Sequence, residues 1–238
     1  MKKIILLLIL PLTLFSQPDF TVMVGENPSP KYLFFKPVGQ GGNKPVMIVD
    51  TYGEILFSAN YGMSGWDWKV NMNDHLTFYN RQNNSWLVMN QFLNIVDTVF
   101  AQNGYTADNH DFLALPNGNY VIIIYDSQPY PMDNIVEGGD PNAIVEGLVI
   151  QELDSEHNVI FQWESWDHFN VTDNTTADLT ANTIAFIHAN SIEIDYDGHF
   201  LISSRNLDEI TKIDRNSGDI IWRFGGSQNE FEFINDYP

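Results

Sequence analysis

The sequence predicts an all-β protein of the β-propeller class, and three observations carry this prediction. Residues 187–226 read as four short strands of alternating apolar and polar residues, at 191–196, 200–205, 209–214 and 219–224. Turns rich in Asp, Asn, Ser and Gly separate these strands, which is typical of consecutive antiparallel hairpins. About forty residues of four-stranded meander correspond to one propeller blade.

The same unit recurs along the chain. Similar units begin near Trp66, His110 and His188, and a partial unit precedes them. No stretch shows helical periodicity over a useful length. The sequence therefore predicts about four blades of a propeller that is six-bladed when complete. The chain stops without a closing strand, so we expect residues 17–238 to form an incomplete β-propeller domain.

Two long inserts interrupt the predicted blades, at residues 126–142 and 165–184. Inserts of this length are usually functional or disordered, and these are expected to leave a blade at its mouth or outer rim. The acidic residues 133–140 of the first insert match no calcium-binding spacing. They are expected to form a solvated loop.

The first residues resemble a targeting signal. Lys2 and Lys3 precede an apolar run over residues 4–15, which is short for a membrane span. We expect residues 1–16 to be a cleaved signal peptide and the protein to be exported, to the periplasm or the extracellular space.

Composition excludes several classes of function. The chain contains no cysteine, which rules out disulfides, thiolate metal sites and cysteine nucleophiles. The net charge of −20, with 11 basic residues, argues against nucleic acid and anionic membranes as partners. An anionic substrate would therefore need a local cation.

His188 and Arg205 are predicted to lie at the mouth of one hairpin. A two-residue turn at Asp197-Gly198 would place Asn190 opposite Arg205 and His188 diagonal to it. A histidine and a guanidinium there would form an anion site. The alternative interpretation is structural, with His188 capping a strand and Arg205 paired with Asp208.

Register separates two of the six histidines from the others. His110 and His188 each precede the first strand of a predicted blade, and such positions converge on the axis of a propeller. The remaining four, which lie in turns or in the second insert, are assigned no chemistry: His75, His157, His168 and His199. The corresponding position of the preceding blade is Trp66, which disfavours a histidine-only metal site. No metal and no cofactor are expected.

Several motifs resemble those of the bacterial arylsulfate sulfotransferases (arylsulfotransferases, ASST). They are D-N-H-D-F with L-P-N-G-N, I-Q-E-L-D, W-x-S-W-D-H, H-A-N-S-I, S-S-R and W-R-F-G-G, in this order over residues 108–226. In that family, a histidine takes the sulfuryl group from an aryl sulfate and passes it to a phenol without a nucleotide. The resemblance implies that His110 and His188 are the supporting histidines and that Arg205 is the arginine of the site.

The resemblance also sets the remaining expectations. The family's nucleophilic histidine follows the W-R-x-G-G segment, a place that none of the six histidines occupies. We therefore expect the nucleophile to be missing from this chain and the fragment to be inactive. The expected partners are a small-molecule aryl sulfate donor and a phenolic acceptor, with a homodimer as a further option. The competing hypothesis is a secreted, non-catalytic propeller that serves as a binding module, because propellers host many functions.

Overall fold

The protein is described by a computed structural model that covers residues 23, 31–37, 44–62, 65–232 and 234. The predicted signal peptide at residues 1–16 lies outside the described residues. The chain divides into two compact units, Met1–Gly62 and Met63–Pro238. No helix in the described ranges is long and apolar enough to cross a membrane.

The first unit contains one three-stranded antiparallel sheet in the order β1-β2-β3. Its strands are β1 (Tyr32–Phe35), β2 (Val46–Asp50) and β3 (Ile55–Ala59). The hairpin between β2 and β3 turns at Asp50, whose carboxylate accepts hydrogen bonds from the backbone N–H groups of Tyr52 and Glu54. Such an Asx turn reverses the chain between β2 and β3.

The second unit contains three sheets built from consecutive strands. The first is β4-β5-β6-β7, the second is β8-β9-β10-β11 with β12 added parallel to β10, and the third is β13-β14-β15-β16. The strands are β4 (Trp66–Val70), β5 (Leu76–Asn80), β6 (Ser85–Met89), β7 (Ile95–Val99), β8 (Phe112–Ala114), β9 (Tyr120–Tyr130), β10 (Ala143–Leu153), β11 (Val159–Glu164), β12 (Thr183–Ala185), β13 (Ala189–Ile194), β14 (Phe200–Ser204), β15 (Glu209–Ile213) and β16 (Ile220–Gly225).

The all-β class is confirmed, because the described elements are four sheets and a few 3₁₀ turns. The predicted meander over residues 187–226 is also confirmed as one antiparallel sheet, β13 to β16. The predicted starts near Trp66, His110 and His188 agree with the first strands of the three sheets in the second unit. The circular arrangement of a propeller stays a prediction.

Two apolar cores hold the three sheets of the second unit together. The ring of Trp86 on β6 stacks on that of Phe112 on β8, with centroids 4.9 Å apart, so the first and second sheets share one core. The second and third sheets share the other, in which Ile123 of β9 and Ile192 of β13 are fully buried. Each sheet thus buries one face against the next sheet along the chain.

The register of the β13–β14 hairpin differs from the predicted one. Ile194 pairs with Phe200, so the loop is one residue longer, on the β13 side, than the predicted two-residue turn. Gly198 in this loop adopts a left-handed φ of +89°. A bulge at Asn190 adds a second shift. The prediction that Asn190 lies opposite Arg205 is therefore wrong. Instead His188 lies directly opposite Arg205, whose backbone N–H donates to the His188 carbonyl at 3.0 Å.

The first long insert, residues 126–142, begins as a continuation of strand β9 and is otherwise a connection. Strands β9 and β10 continue in register from Leu148↔Tyr125 to Ala143↔Tyr130, which leaves only residues 131–142 as a connection. Met132 in that connection is fully buried in the core. Burial of apolar residues therefore explains why this polar segment is ordered.

The second insert packs against the sheets as well. It contains 3₁₀ turns at Ser165–Asp167 and Val171–Asp173 before β12, which pairs with β10. Its Phe169 and Val171 belong to the core between the second and third sheets. The insert leads directly to His188, and its position is therefore tied to the packing of the core.

Candidate functional site

A buried aspartate links the first strands of the three sheets in the second unit. The carboxylate of Asp111 accepts a hydrogen bond from the Ile192 N–H of β13 at 2.8 Å, and it also pairs with the Lys69 ammonium of β4. Asp111 itself immediately precedes β8. Because its neighbour is His110, this network positions His110 at the place where the three strands approach one another.

Three rings meet at this end of the sheets. The imidazoles of His110 and His188 lie 5.2 Å apart between centroids, in an edge-to-face arrangement. The phenol ring of Tyr125 lies 5.6 Å from His110 and 5.7 Å from His188. The structure thus brings together two of the three site residues expected from the sequence and adds a tyrosine to them.

Tyr125 connects the second sheet to the third. It lies on β9, and its hydroxyl donates a hydrogen bond to the Ala189 carbonyl at the start of β13, at 2.7 Å. The same hydroxyl oxygen is 3.3 Å from Nδ1 of His110. Tyr125 therefore sets the separation of the two histidines. It contacts His110 directly, and it bonds to Ala189, the residue after His188.

His188 has an unusual backbone. Its φ of +51° is in the left-handed region, which few residues other than glycine adopt. Two hydrogen bonds hold this conformation, from the Arg205 N–H to the His188 carbonyl and from the Asn206 N–H to the Ile187 carbonyl, both at 3.0 Å. Such strain costs about 1–3 kcal/mol and often marks a functional position.

Arg205 begins the 3₁₀ turn Arg205–Leu207, one residue beyond the end of β14. Its side chain is exposed, and within the described ranges it forms no ion pair with Asp208. The Asp208 carboxylate instead accepts a hydrogen bond from the Thr175 hydroxyl at 2.7 Å. The structural interpretation of Arg205 is therefore not supported, and the guanidinium is available to an anion.

An open cavity of about 420 Å³ lies beside Arg205. Asn190, Ser203 and Phe224 line it together with the arginine. Asp208 and Glu209 line it as well, so the cavity combines a cation, polar side chains and an aromatic face with two carboxylates, and neither His110 nor His188 lines it.

The W-R-F-G-G segment supports the turn that carries Arg205. Gly225 and Gly226 have φ values of +88° and +63°, and a Cβ at these positions would come within 2.5 Å of the Asp208 and 2.3 Å of the Leu207 carbonyl oxygen. Only glycine allows this close approach of two backbones. The segment therefore has a structural role, because it fixes the turn between β14 and β15.

The electrostatics of the site differ between its groups. Burial, followed by the charges of His110 and Arg205, lowers the pKa of His188 below its ordinary value of 6.5, and Asp108 opposes this effect. Burial, followed by Asp108, raises the pKa of the Glu146 carboxyl. Burial also raises the pKa of the Tyr125 phenol, so this group stays protonated. The neutral form of His188 is thus favoured.

Acidification is expected to destabilise the protein through His188. The neutral imidazole is favoured in the fold, so the unfolded chain binds more protons once the pH falls below 6.5. The stabilisation is present above that pH and is lost as the pH falls through the lowered pKa of the folded state. Urea unfolding from about pH 8 to about pH 5 should show a shallower decline for His188→Gln than for wild type. Parallel declines would contradict the assignment.

The other four histidines lie elsewhere and join no common site in the described residues. His157 pairs with Asp97 at 3.0 Å, and His168 stacks on Trp163 with centroids 4.9 Å apart. Nδ1 of His199 accepts the Arg215 N–H, and Nδ1 of His75 lies 3.1 Å from the Asn73 carbonyl. His75 and His199, expected at the surface, are half-buried.

Sequence reasoning missed Asp108, Tyr125 and Glu146. Asp108 lies within the D-N-H-D-F motif, two residues before His110, and that spacing is typical of a side chain that bonds a nearby backbone N–H. Tyr125 could be located by extending the β8–β9 pairing of Phe112↔Ile122 by two or three residues. Glu146 lies just beyond the first insert (residues 126–142), at a position that no predicted strand covers, so no register existed to place it.

No group of three or more histidine, aspartate or glutamate side chains in the described part of the chain is arranged to hold a metal ion. The carboxylates of Asp108 and Glu146 instead interact with the His110 imidazole, Asp108 through a hydrogen bond and Glu146 through its charge. The arrangement as it stands can bind an anion at Arg205 and move a proton at an imidazole.

Among the described residues, two histidines lie in contact near an arginine that forms no ion pair there, an arrangement that can bind an anion. The arylsulfotransferase (ASST) family model matches residues 23–233, and the chain therefore belongs to this family. No curated protein matches the sequence. A solved structure of a protein of unknown function from Bacteroides caccae is similar, with 15% identity and a TM-score of 0.48. The match covers 84% of this chain and 59% of that one, so this chain spans about three-fifths of that protein's length.

Proposed function

We propose that this chain carries the sulfuryl-binding and proton-transfer part of an arylsulfotransferase site, in an exported protein. The reaction is the transfer of a sulfuryl group from an aryl sulfate to a phenolic acceptor through a sulfohistidine, without a nucleotide. The observation that carries the proposal is the contact between His110 and His188, 5.2 Å apart between ring centroids, beside Arg205. Because the chain belongs to the ASST family, sulfuryl transfer is the reaction that we propose for the anion bound at this site.

The charges of the site suit this chemistry. Sulfuryl transfer spreads negative charge over the equatorial oxygens and the leaving phenolate, which fixed cations and hydrogen-bond donors stabilise. Arg205 offers a planar set of donors that matches a sulfate group. A neutral His188 next to it adds a donor without repelling the guanidinium.

The roles divide between covalent and supporting groups. His110 and His188 support the transfer, and Arg205 holds the sulfuryl oxygens. In the family, the nucleophilic histidine follows the W-R-x-G-G segment, and we assign the covalent step to a histidine at that position. None of the six histidines of this chain occupies it. A covalent intermediate divides one difficult displacement into two easier ones.

Titration of the chain with p-nitrophenyl sulfate tests the proposal. We expect nuclear magnetic resonance signals of His110 and His188 to shift together and saturably, while those of His75 stay unchanged. His75 lies at the turn before β5, and Nδ1 of its ring lies 3.1 Å from the Asn73 carbonyl oxygen. No shift at any histidine would reject the proposal and favour the non-catalytic binding module.

Release of p-nitrophenol, followed by absorbance, separates binding from turnover. The scheme predicts binding without a burst of product from this chain. A burst equal to the enzyme concentration would show that His110 or His188 is itself the nucleophile, and the supporting roles assigned to them would then be wrong.

A further inference from the structure

Asp108 holds His110 at two points. Its Oδ1 accepts the backbone N–H of His110 at 2.8 Å and lies 2.5 Å from Nδ1 of the imidazole. The aspartate side chain is mostly buried, with 15% of its surface exposed, against 32% for the histidine. The imidazole is thus fixed relative to its own backbone.

The position of Asp108 is itself determined by the fold. Its N–H donates to the Ile123 carbonyl of β9 at 2.9 Å, and its carbonyl accepts the Trp86 indole N–H at 3.1 Å. The preceding residue, Ala107, accepts the Tyr79 hydroxyl at 2.6 Å. Side chains of the first sheet and the backbone of the second therefore fix this carboxylate before any ligand binds.

The contact determines which nitrogen of His110 carries the proton. An ionised carboxylate only accepts hydrogen bonds, so Nδ1 must be the donor. The Tyr125 hydroxyl near Nδ1 already donates to the Ala189 carbonyl, and its oxygen can only accept from Nδ1. In the neutral imidazole the lone pair is then on Nε2.

We propose that Asp108 is a positioning residue that makes Nε2 of His110 the proton-transfer atom of this site. The inference rests on the proposed function and adds a role that separates the two histidines. The cycle starts with His110 doubly protonated: as the nucleophilic histidine bonds to sulfur and the donor O–S bond breaks, Nε2–H gives its proton to the leaving phenolate oxygen, and the neutral Nδ1–H tautomer remains. When the acceptor phenol oxygen bonds to sulfur, its proton returns to Nε2, and no proton is gained or lost over the cycle.

The surroundings of the two histidines support this division. His110 faces the Asp108 carboxylate, and Glu146 of β10 is close enough for its charge to interact with His110. His188 faces His110, Arg205 and the Tyr125 phenol. The two imidazoles thus have different surroundings: the Asp108 carboxylate bonds directly to His110, whereas Arg205 lies beside His188 and opposes a positive charge on it.

Nitrogen-15 spectra of the histidine side chains in this chain test the proposal without any turnover. At a pH where the imidazoles are neutral, we expect wild-type His110 to show the Nδ1–H tautomer. Asp108→Ala should convert it to a mixture or to the Nε2–H tautomer. Asp97→Ala is the matched control, because Asp97 bonds to Nε2 of His157 and should change only the His157 signals.

A dominant Nε2–H tautomer of His110 in the wild type would overturn the proposal, and this result needs no variant to fold. An unchanged Nδ1–H pattern in a folded Asp108→Ala variant would overturn it as well. The test is independent of the proposed function. If the tautomers behave as expected and p-nitrophenyl sulfate fails to bind, sulfuryl transfer is rejected while the positioning of His110 by Asp108 stands.

Discussion

Arg205→Ala is expected to weaken the binding of p-nitrophenyl sulfate by about 10- to 150-fold. Hydrogen bonds to charged groups contribute about 1.5–3 kcal/mol, which corresponds to this range of dissociation constants. The side chain is exposed and has no ion pair among the described residues, so its removal leaves no charge unpaired. Its backbone N–H still donates to His188. Titration followed at His110 and His188 measures the effect.

Arg81→Ala is the control for this prediction. Arg81 is also exposed, but it lies over the Trp66 ring at 5.0 Å and has no part in the site. Its replacement should leave binding unchanged. If Arg205→Ala instead lowers the unfolding free energy as much as it weakens binding, the structural interpretation of Arg205 is correct and the anion site is not.

Arg223→Ala is expected to lower the free energy of unfolding by about 3–5 kcal/mol, because it leaves buried carboxylates without a counter-charge. Nε of Arg223 donates to both oxygens of Glu209, at 2.8 and 2.9 Å, and Nη1 donates to Asp173 at 2.9 Å. All three residues are more than 90% buried, with exposed fractions of 8%, 4% and 3%. Urea unfolding of the second unit measures the loss.

Arg223→Lys is the informative companion variant. Lysine keeps the charge but lacks the planar fork that reaches Glu209 and Asp173 together, so an intermediate loss is expected. Arg81→Ala should change stability by no more than about 0.5 kcal/mol, as exposed substitutions usually do. A loss below about 1 kcal/mol for Arg223→Ala would show that water replaces the guanidinium and that the network is not structural.

The strands could be predicted because their signals are local. Alternation of apolar and polar residues with period two, together with Asp-Gly and Ser-Gly turns, predicted the β13 to β16 sheet to within about two residues at each strand end. The failures lie where burial overrides local polarity. Residues 126–142 read as a polar excursion, yet residues 126–130 continue β9 in register with β10, and Met132 in the connection is fully buried.

The candidate site could be predicted only in part. His110 and His188 were expected to approach each other because each precedes the first strand of its unit, and the structure places their rings in contact. Tyr125 was missed because its role depends on a contact between sheets, whereas Asp108 was missed although its contact with His110 spans only two positions of the chain. The Tyr125 hydroxyl reaches Ala189, which is 64 positions away in the chain.

The sequence by itself determined the all-β class, the order of the strands, the resemblance to the ASST family and the identity of the two histidines and the arginine. Each of these follows from neighbouring residues or from a motif. Only the tertiary structure decided that His188 lies directly opposite Arg205, since the bulge at Asn190 and the longer turn at Gly198 shift the register together. It also decided that Asp108, and no other carboxylate of the described chain, holds Nδ1 of His110. The hydrogen bond from Tyr125 to Ala189 forms only after the second and third sheets have packed, because only packing brings these distant segments within hydrogen-bonding distance.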